Sequence, residues 1–266
     1  MTNRLLAAAT LLAASSCANA QSINIDWDTP GNTILGGGVP APTFAGAGQA
    51  GVWNSLPFST PSINLVDLNG NPTAATLTRS PAMMTGANQG TLTGDHFLLL
   101  NDYQADGAGI GVTVNGLLPG RYTVITYAIR LVGFQSRTNV AVAGSITPNP
   151  QTAGGAVPLN EVVEGVTHTR HEVDVEPGGS ISITATPVTL LCFINGVQLI
   201  RTPPPCLGDI NDDGAVNTAD LTAFLGQFGQ PVTPGSPAER ADFNNDGAVN
   251  TADLVFFLGR FGQPCP

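Results

Sequence analysis

Twelve residues from Asp209 to Asp220 read D-I-N-D-D-G-A-V-N-T-A-D, and twelve from Asp242 to Asp253 read D-F-N-N-D-G-A-V-N-T-A-D. Both carry oxygen-bearing side chains at positions 1, 3, 5, 9 and 12 and glycine at position 6. A hard cation such as Ca²⁺ takes about six to eight oxygens from carboxylates, carbonyls and water, and this is the spacing at which a single loop wraps one. In the first loop the side-chain donors are Asp209, Asn211, Asp213 and Asp220. Ala215 at position 7 offers its backbone carbonyl, and Asn217 stands at position 9, where the ligand often acts through water. The second loop supplies Asp242, Asn244, Asp246 and Asp253, with Ala248 as carbonyl donor and Asn250 at position 9. Gly214 and Gly247 let the backbone turn where a Cβ would clash. The donor set therefore calls for two Ca²⁺. The alternative is an acidic, Asn/Gly-rich turn without metal. A repeat 33 residues away, identical at 18 of 23 positions through the following helix, argues against it. Position 12 is Asp rather than Glu, so its carboxylate is one methylene shorter than usual.

The elements that must position these loops come next. Leu221, Phe224, Leu225 and Phe228 follow the first loop, and Leu254, Phe257, Leu258 and Phe261 follow the second. The spacing i, i+3, i+4, i+7 predicts one amphipathic helix after each loop, their apolar stripes packed face to face. Asp220 and Asp253 fall in the first turn, where a carboxylate also suits the helix dipole. Val216 and Val249, at position 8, are expected to pair with each other in a short bridge beneath the ions. Pro203, Pro204 and Pro205 preclude an entering helix before the first loop. Each unit is thus a loop and an exiting helix.

Two such units in about 60 residues resemble a dockerin domain, a duplicate of half EF-hands, over residues 206 to 266. The resemblance implies docking to a cohesin module, which attaches the carrier to a polysaccharide-degrading assembly. The residues that match the family's recognition positions are Thr218, Ala219, Thr251 and Ala252. Where cellulosomal members often carry a basic pair, this chain has Leu225–Gly226 and Leu258–Gly259. The internal symmetry predicts two equivalent docking faces, with Phe256 against Ala223 breaking the equivalence.

Residues 1 to 20 read as a secretory signal, with Arg4 at the charged start, Leu5 to Ala14 apolar, and Ala18-Asn19-Ala20 as the cleavage site. That run is too short to span a bilayer, and no other stretch is long and apolar enough. The expected localisation is extracellular or cell-surface. Cys17 belongs to this leader. Cys206 and Cys265 bracket the repeats and are expected to form a disulfide in an oxidising compartment; the alternative is two unpaired thiols. Closing such a loop contributes roughly 4 kcal/mol in the chain-entropy account. Cys192, in an apolar run, reads as a buried thiol.

The chain has no Lys, a net charge of −10 and only 11% charged residues. It offers no basic patch for phosphates, which excludes a nucleic-acid binder. With 42% hydrophobic residues it is not a disordered chain either. Residues 21–202, ahead of a 203–205 proline linker, alternate in the manner of strands at Ile23–Trp27, Ile110–Val114, Tyr122–Tyr127, Asn139–Val142, Val166–Val175 and Ser180–Thr186. Cys192–Ile200 is more continuously apolar. Turns at Asn69–Pro72, Leu118–Gly120 and Pro177–Gly179 separate them. No stretch of helical period and length stands out. The fold class is mainly β, a jelly-roll-like sandwich followed by a small α module of two calcium loop–helix units. The turn Leu118-Pro119-Gly120-Arg121-Tyr122 is similar to the tyrosine corner of extracellular sandwiches. The first and last strands are expected to pair, which resembles galactose-binding-like jelly rolls.

No catalytic residue is assigned. Asp95, Asp102, Asp106, Glu161, Glu164 and Glu172 could supply a glycosidase pair, but nothing in sequence brings two together. Asp95-His96 before Phe97–Leu100 reads as a turn into a buried strand. His168 and Arg170 share a strand face while His171 points away, so the two histidines do not share a metal. Trp27 and Trp53 are core residues or sugar platforms. Three readings follow: a non-catalytic secreted protein whose calcium module docks it to a cohesin-like partner, with polysaccharide as a further ligand; a polysaccharide hydrolase with its site on the sandwich; and a structural surface or matrix component.

Overall fold

The computed structural model describes residues 21–28, 37–81, 83–86, 92–130, 137–155, 160–202, 206–211, 213–233 and 236–263. The leader, the proline linker and Cys265 lie outside the described residues. The described residues divide into two compact units, one before the linker and one from Cys206 onward.

The first unit is mainly β. Its strands are β1 (Ile23–Asp28), β2 (Trp53–Pro57), β3 (Ser62–Val66), β4 (Pro72–Arg79), β5 (Met83–Gly86), β6 (Asp102–Asp106), β7 (Ile110–Asn115), β8 (Gly120–Tyr127), β9 (Arg137–Val142), β10 (Gln151–Gly154), β11 (His168–Val175), β12 (Ser180–Pro187), β13 (Cys192–Ile194) and β14 (Gly196–Thr202). One sheet runs β11-β8-β14-β1-β2, a second β10-β9-β12-β7-β4-β3, and a small third β13-β6-β5. The first strand pairs antiparallel with the last, Ile23 opposite Leu199 and Asp26 opposite Gly196. Alternation explains the layering. Ile23, Ile25 and Trp27 join Val124, Val197, Val112 and Ile183 in the main core. Between them, Asn24 faces the other way, its amide donating to the Gln49 carbonyl at 3.0 Å. The tyrosine corner forms as expected: the Tyr122 hydroxyl donates to the Leu118 carbonyl at 3.0 Å.

Two expectations fail here. Residues Gly94–Asn101 form a helix, α1, in place of a turn and strand. A four-residue apolar run fits either element by pattern alone. Leu99 and Leu100 pack with Trp53, Ile125 and Tyr127 on the face of the five-stranded sheet opposite the main core. The run from Cys192 to Ile200 is also split between two sheets. Asn195 makes the break: its side-chain oxygen accepts the Ile129 amide at 2.8 Å, and its amide group donates to the Leu100 and Asp102 carbonyls at 3.0 Å each.

The second unit holds α2 (Thr218–Gln227), a 3-10 turn at Pro237–Arg240 and α3 (Thr251–Arg260). Its core is built on phenylalanine. Phe224 stacks on Phe257 at 5.6 Å and on Phe243 at 6.1 Å between centroids. The apolar stripes do not pack whole. Phe224 and Phe257 are buried, whereas Leu225 and Leu258 are each 54% exposed. Each helix turns its buried side through Asp220–Phe224 or Asp253–Phe257, and the leucine one residue further on rotates about 100° out of it.

Candidate metal centre

Each twelve-residue loop is tied by its own carboxylates. Asp209 accepts the amides of Asp213 (3.1 Å) and Gly214 (2.9 Å). Gly214, at φ 91°, occupies a conformation that favours glycine. Asp220 accepts the amides of Ile210 (2.8 Å) and Asn211 (3.2 Å) on one oxygen and of Asn217 (2.9 Å) on the other. The second loop repeats this. Asp242 accepts Asp246 (3.2 Å) and Gly247 (2.9 Å), and Asp253 accepts Phe243 (2.9 Å), Asn244 (3.3 Å) and Asn250 (2.9 Å).

Position 12 thus has a second role. Asn217 caps α2 by accepting the Ala219 amide at 2.7 Å while Asp220 reaches back to the Asn217 amide, and Asn250 with Asp253 does the same for α3. This is a capping box written N-T-A-D. The carboxylate that closes each loop also starts each helix.

The arrangement concentrates negative charge. Carboxylate oxygens of Asp209, Asp213 and Asp220 all lie within 4.8 Å of one another, and so do those of Asp242, Asp246 and Asp253. Like charges about 4 Å apart repel by about 4 kcal/mol at an effective dielectric near 20. Asp213 is held below the ordinary carboxylate range by the side-chain amides of Asn217 and Asn211, and Asp246 by those of Asn244 and Asn250. The Asn217 amide also reaches the Ala215 carbonyl at 3.3 Å, and that of Asn250 the Ala248 carbonyl at 3.1 Å. Carboxylate oxygens from positions 1, 5 and 12 therefore face one small volume in each loop, and this all-oxygen cluster suits a hard divalent cation.

The two loops are not bridged to each other through Val216 and Val249, as the sequence suggested. Val216 donates to the Gln263 carbonyl at 3.5 Å and accepts the Gly262 amide at 2.8 Å; Val249 donates to Gln230 at 3.3 Å and accepts from Gly229 at 2.8 Å. Each valine is paired with the segment leaving the other repeat's helix. The F-G-Q-P run after each helix was the sequence mark of this pairing.

Thr218, Ala219, Thr251 and Ala252, the residues at the recognition positions, are all exposed. Phe256, the counterpart of Ala223 in the other repeat, is half-buried: it stacks on Phe243 at 5.2 Å beneath the Arg260 guanidinium. Cys206 lies among the described residues, and its expected partner Cys265 lies outside them.

In the sandwich, Trp27 and Trp53 are buried, as are Cys192, His168 and His171. His168 packs against Tyr127, and its pKa is lowered to about 4 by burial first and the Arg170 charge second. A polar feature that local spacing did not show is the grouping of Asp26 and Asp28 with Asp102. Both Asp26 oxygens are buried without a hydrogen-bond partner among the described residues. Burial first, then the charges of Asp102 and Asp28, push its carboxyl well above the ordinary range.

Twin carboxylate cages, each opening a capped helix, define a dockerin-like module. Residues 207–257 match the dockerin type I domain family. Domains of that family support calcium binding and docking to cohesin. No curated protein matches the chain. Among solved structures, it is similar to that of the plant receptor-like kinase ANX2, at 12% identity and TM-score 0.42, covering 68% of this chain and 48% of that one. The ANXUR1 extracellular domain from Arabidopsis thaliana gives 9% identity and TM-score 0.41 over 69% and 49%. The chain spans about half the length of each. Among the described residues no helix is long and apolar enough to cross a membrane.

Proposed function

We propose that this is a secreted, non-catalytic protein whose C-terminal module binds two Ca²⁺ and docks the sandwich to a cohesin-like partner, in the service of polysaccharide binding or degradation. The reading divides the chain into a leader (1–20), a sandwich (21–202), a linker (203–205) and the docking module (206–266), clasped by Cys206–Cys265. The observation that carries it is the pair of cages, Asp209–Asp213–Asp220 and Asp242–Asp246–Asp253, each fused to the start of a helix. Bound Ca²⁺ supplies the positive charge that offsets the clustered carboxylates, with Asn211, Ala215 and Asn217, and Asn244, Ala248 and Asn250, completing the two donor sets. Because only the folded loop assembles those donors, metal affinity stabilises the fold.

The docking face follows from the helix period. Thr218, Thr222 and Leu225 are exposed at i, i+4 and i+7 on α2, and Thr251, Val255 and Leu258 at the same places on α3. Both stripes are uncharged, so their contact with a partner rests on apolar burial and hydroxyl hydrogen bonds. The stripes differ at Thr222 against Val255, which is where preference between them arises. The test is binding of a type I cohesin module to the immobilised full chain. Binding in calcium that disappears in chelator, and again in Leu225→Asp plus Leu258→Asp with calcium uptake intact, is the expected result. No binding in calcium removes the cohesin reading. Reducing-sugar release from mixed polysaccharides would instead establish the hydrolase.

A further inference from the structure

Each metal loop in the second unit is finished by backbone from the opposite repeat. The first loop's position 8, Val216, is bonded on both sides by residues 262 and 263, beyond the end of α3. The second loop's Val249 is bonded in the same way by residues 229 and 230, beyond the end of α2. There Val232 adds a bond to the Gly247 carbonyl at 3.0 Å, and Pro231 bridges Ala248 in antiparallel fashion.

These bonds reach a metal donor through one peptide plane. The Val216 N–H and the Ala215 C=O belong to the same planar, trans unit and point in opposite directions. Directing the N–H outward to Gln263 turns the Ala215 carbonyl inward, where the Asn217 amide meets it. The Val249 N–H, directed to Gln230, aims the Ala248 carbonyl in the same way. Gly229 and Gly262, at φ 79° and 77°, make the turn that brings each exit back. The turn is tied by Gln230 N–H to Gln227 and Gln263 N–H to Arg260, both at 3.0 Å.

Resting on the reading of both loops as calcium sites, we infer that the two sites are cross-coupled: Gly262 and Gln263 are positioning residues for the first site, Gly229 and Gln230 for the second. The route is covalent and closed. The helix α2 starts within the first loop, capped by Asp220, and delivers its exit to the second; α3 starts within the second loop, capped by Asp253, and delivers its exit to the first. Ordering either loop fixes the start of a helix whose far end holds the other loop's carbonyl donor. By reciprocity, occupancy of either site raises the affinity of the other by the same factor. A factor of about five or more is the ordinary range for such coupling.

Calcium titration of the full chain, followed by the amide resonances of Gly214 and Gly247, reads the two loops separately, since each donates to its own position-1 carboxylate. Asp213→Ala removes an exposed first-loop donor and leaves both exits intact. For matched sites the midpoint shifts by the square root of the coupling factor, so the expected result is a midpoint at Gly247 raised about twofold or more; an unchanged Gly247 midpoint overturns the coupling. Gly262→Pro removes the N–H given to Val216 and, because proline cannot take the positive φ of Gly262, the turn that brings the exit back. It should raise the midpoint at Gly214, in the opposite repeat, more than that at Gly247, in its own; the reverse order also overturns the inference. Absence of any calcium response in the parent chain removes the calcium reading itself, an outcome distinct from two independent midpoints.

Discussion

The Phe224 and Phe257 rings stack with centroids 5.6 Å apart and planes inclined by 21°, one from each repeat and both fully buried. They stand four residues after Asp220 and Asp253, so the residue that closes each loop and the residue that joins the two helices lie on one side of one helical turn. Phe224→Ala therefore strikes the centre of a very small core. Truncating a buried Phe costs about 3–5 kcal/mol, a large part of what so short a module can hold. Thermal melting in calcium should show this transition strongly lowered or lost in Phe224→Ala, while Leu225→Ala, on the exposed face, stays within about 0.5 kcal/mol. Equal effects from the two variants would contradict the burial pattern.

Removing the position-1 carboxylates has a different signature. Asp209 and Asp242 each accept two loop amides as well as facing the cage. Asp209→Ala with Asp242→Ala is expected to abolish the gain of helical circular dichroism that calcium produces in the full chain, without altering the β signal of the sandwich. A calcium response that survives the double substitution would show that the cages are not the binding sites.

How much of this was legible in the sequence differs between the units. The acidic clusters were readable because they are local: three carboxylates of one twelve-residue segment meet the same small volume, so spacing is geometry. The first and last strands, and the Tyr122 corner, were readable because alternation and turn residues are local as well. What escaped was non-local. Asp26 and Asp102 lie far apart in the chain, on β1 and β6, and act on each other only because the fold gathers those strands. The Gly262–Val216 pairing joins the end of one repeat to the loop of the other; F-G-Q-P recurs after each helix, but nothing local says which loop it meets. The helix at Gly94–Asn101 was missed because tertiary cover, with Leu99 and Leu100 over the five-stranded sheet, decided an apolar run that propensity left undecided.

The Tyr122 hydroxyl gives a test of the sandwich alone. It lies 3.0 Å from both the Leu118 carbonyl and the Gln21 side-chain oxygen, and the Gln21 amide group donates to the Gly116 carbonyl at 3.0 Å. Tyr122→Phe removes the donor of this part-buried hydrogen bond, which costs about 0.5–1.5 kcal/mol. The midpoint of the sandwich's urea transition should fall accordingly, with no change in calcium uptake. A neutral substitution would mean that the corner is not held by this hydroxyl.

Asp26 sets a pH dependence whose sign is fixed by its surroundings. Its folded carboxyl ionises well above the ordinary range because burial, then Asp102, then Asp28, disfavour the anion. The folded state thus retains a proton that the unfolded state has released, and stability contributed at this site falls as pH rises from the unfolded pKa, near 4, towards the folded one. Each pH unit in that window costs about 1.4 kcal/mol. Asp26→Asn removes the ionisation while keeping the shape. Relative to the parent, the variant should gain stability between about pH 4 and pH 7 in urea unfolding of the sandwich. A parent-to-variant difference that is the same at both pH values would mean that Asp26 ionises in the folded sandwich as freely as it does in the unfolded chain.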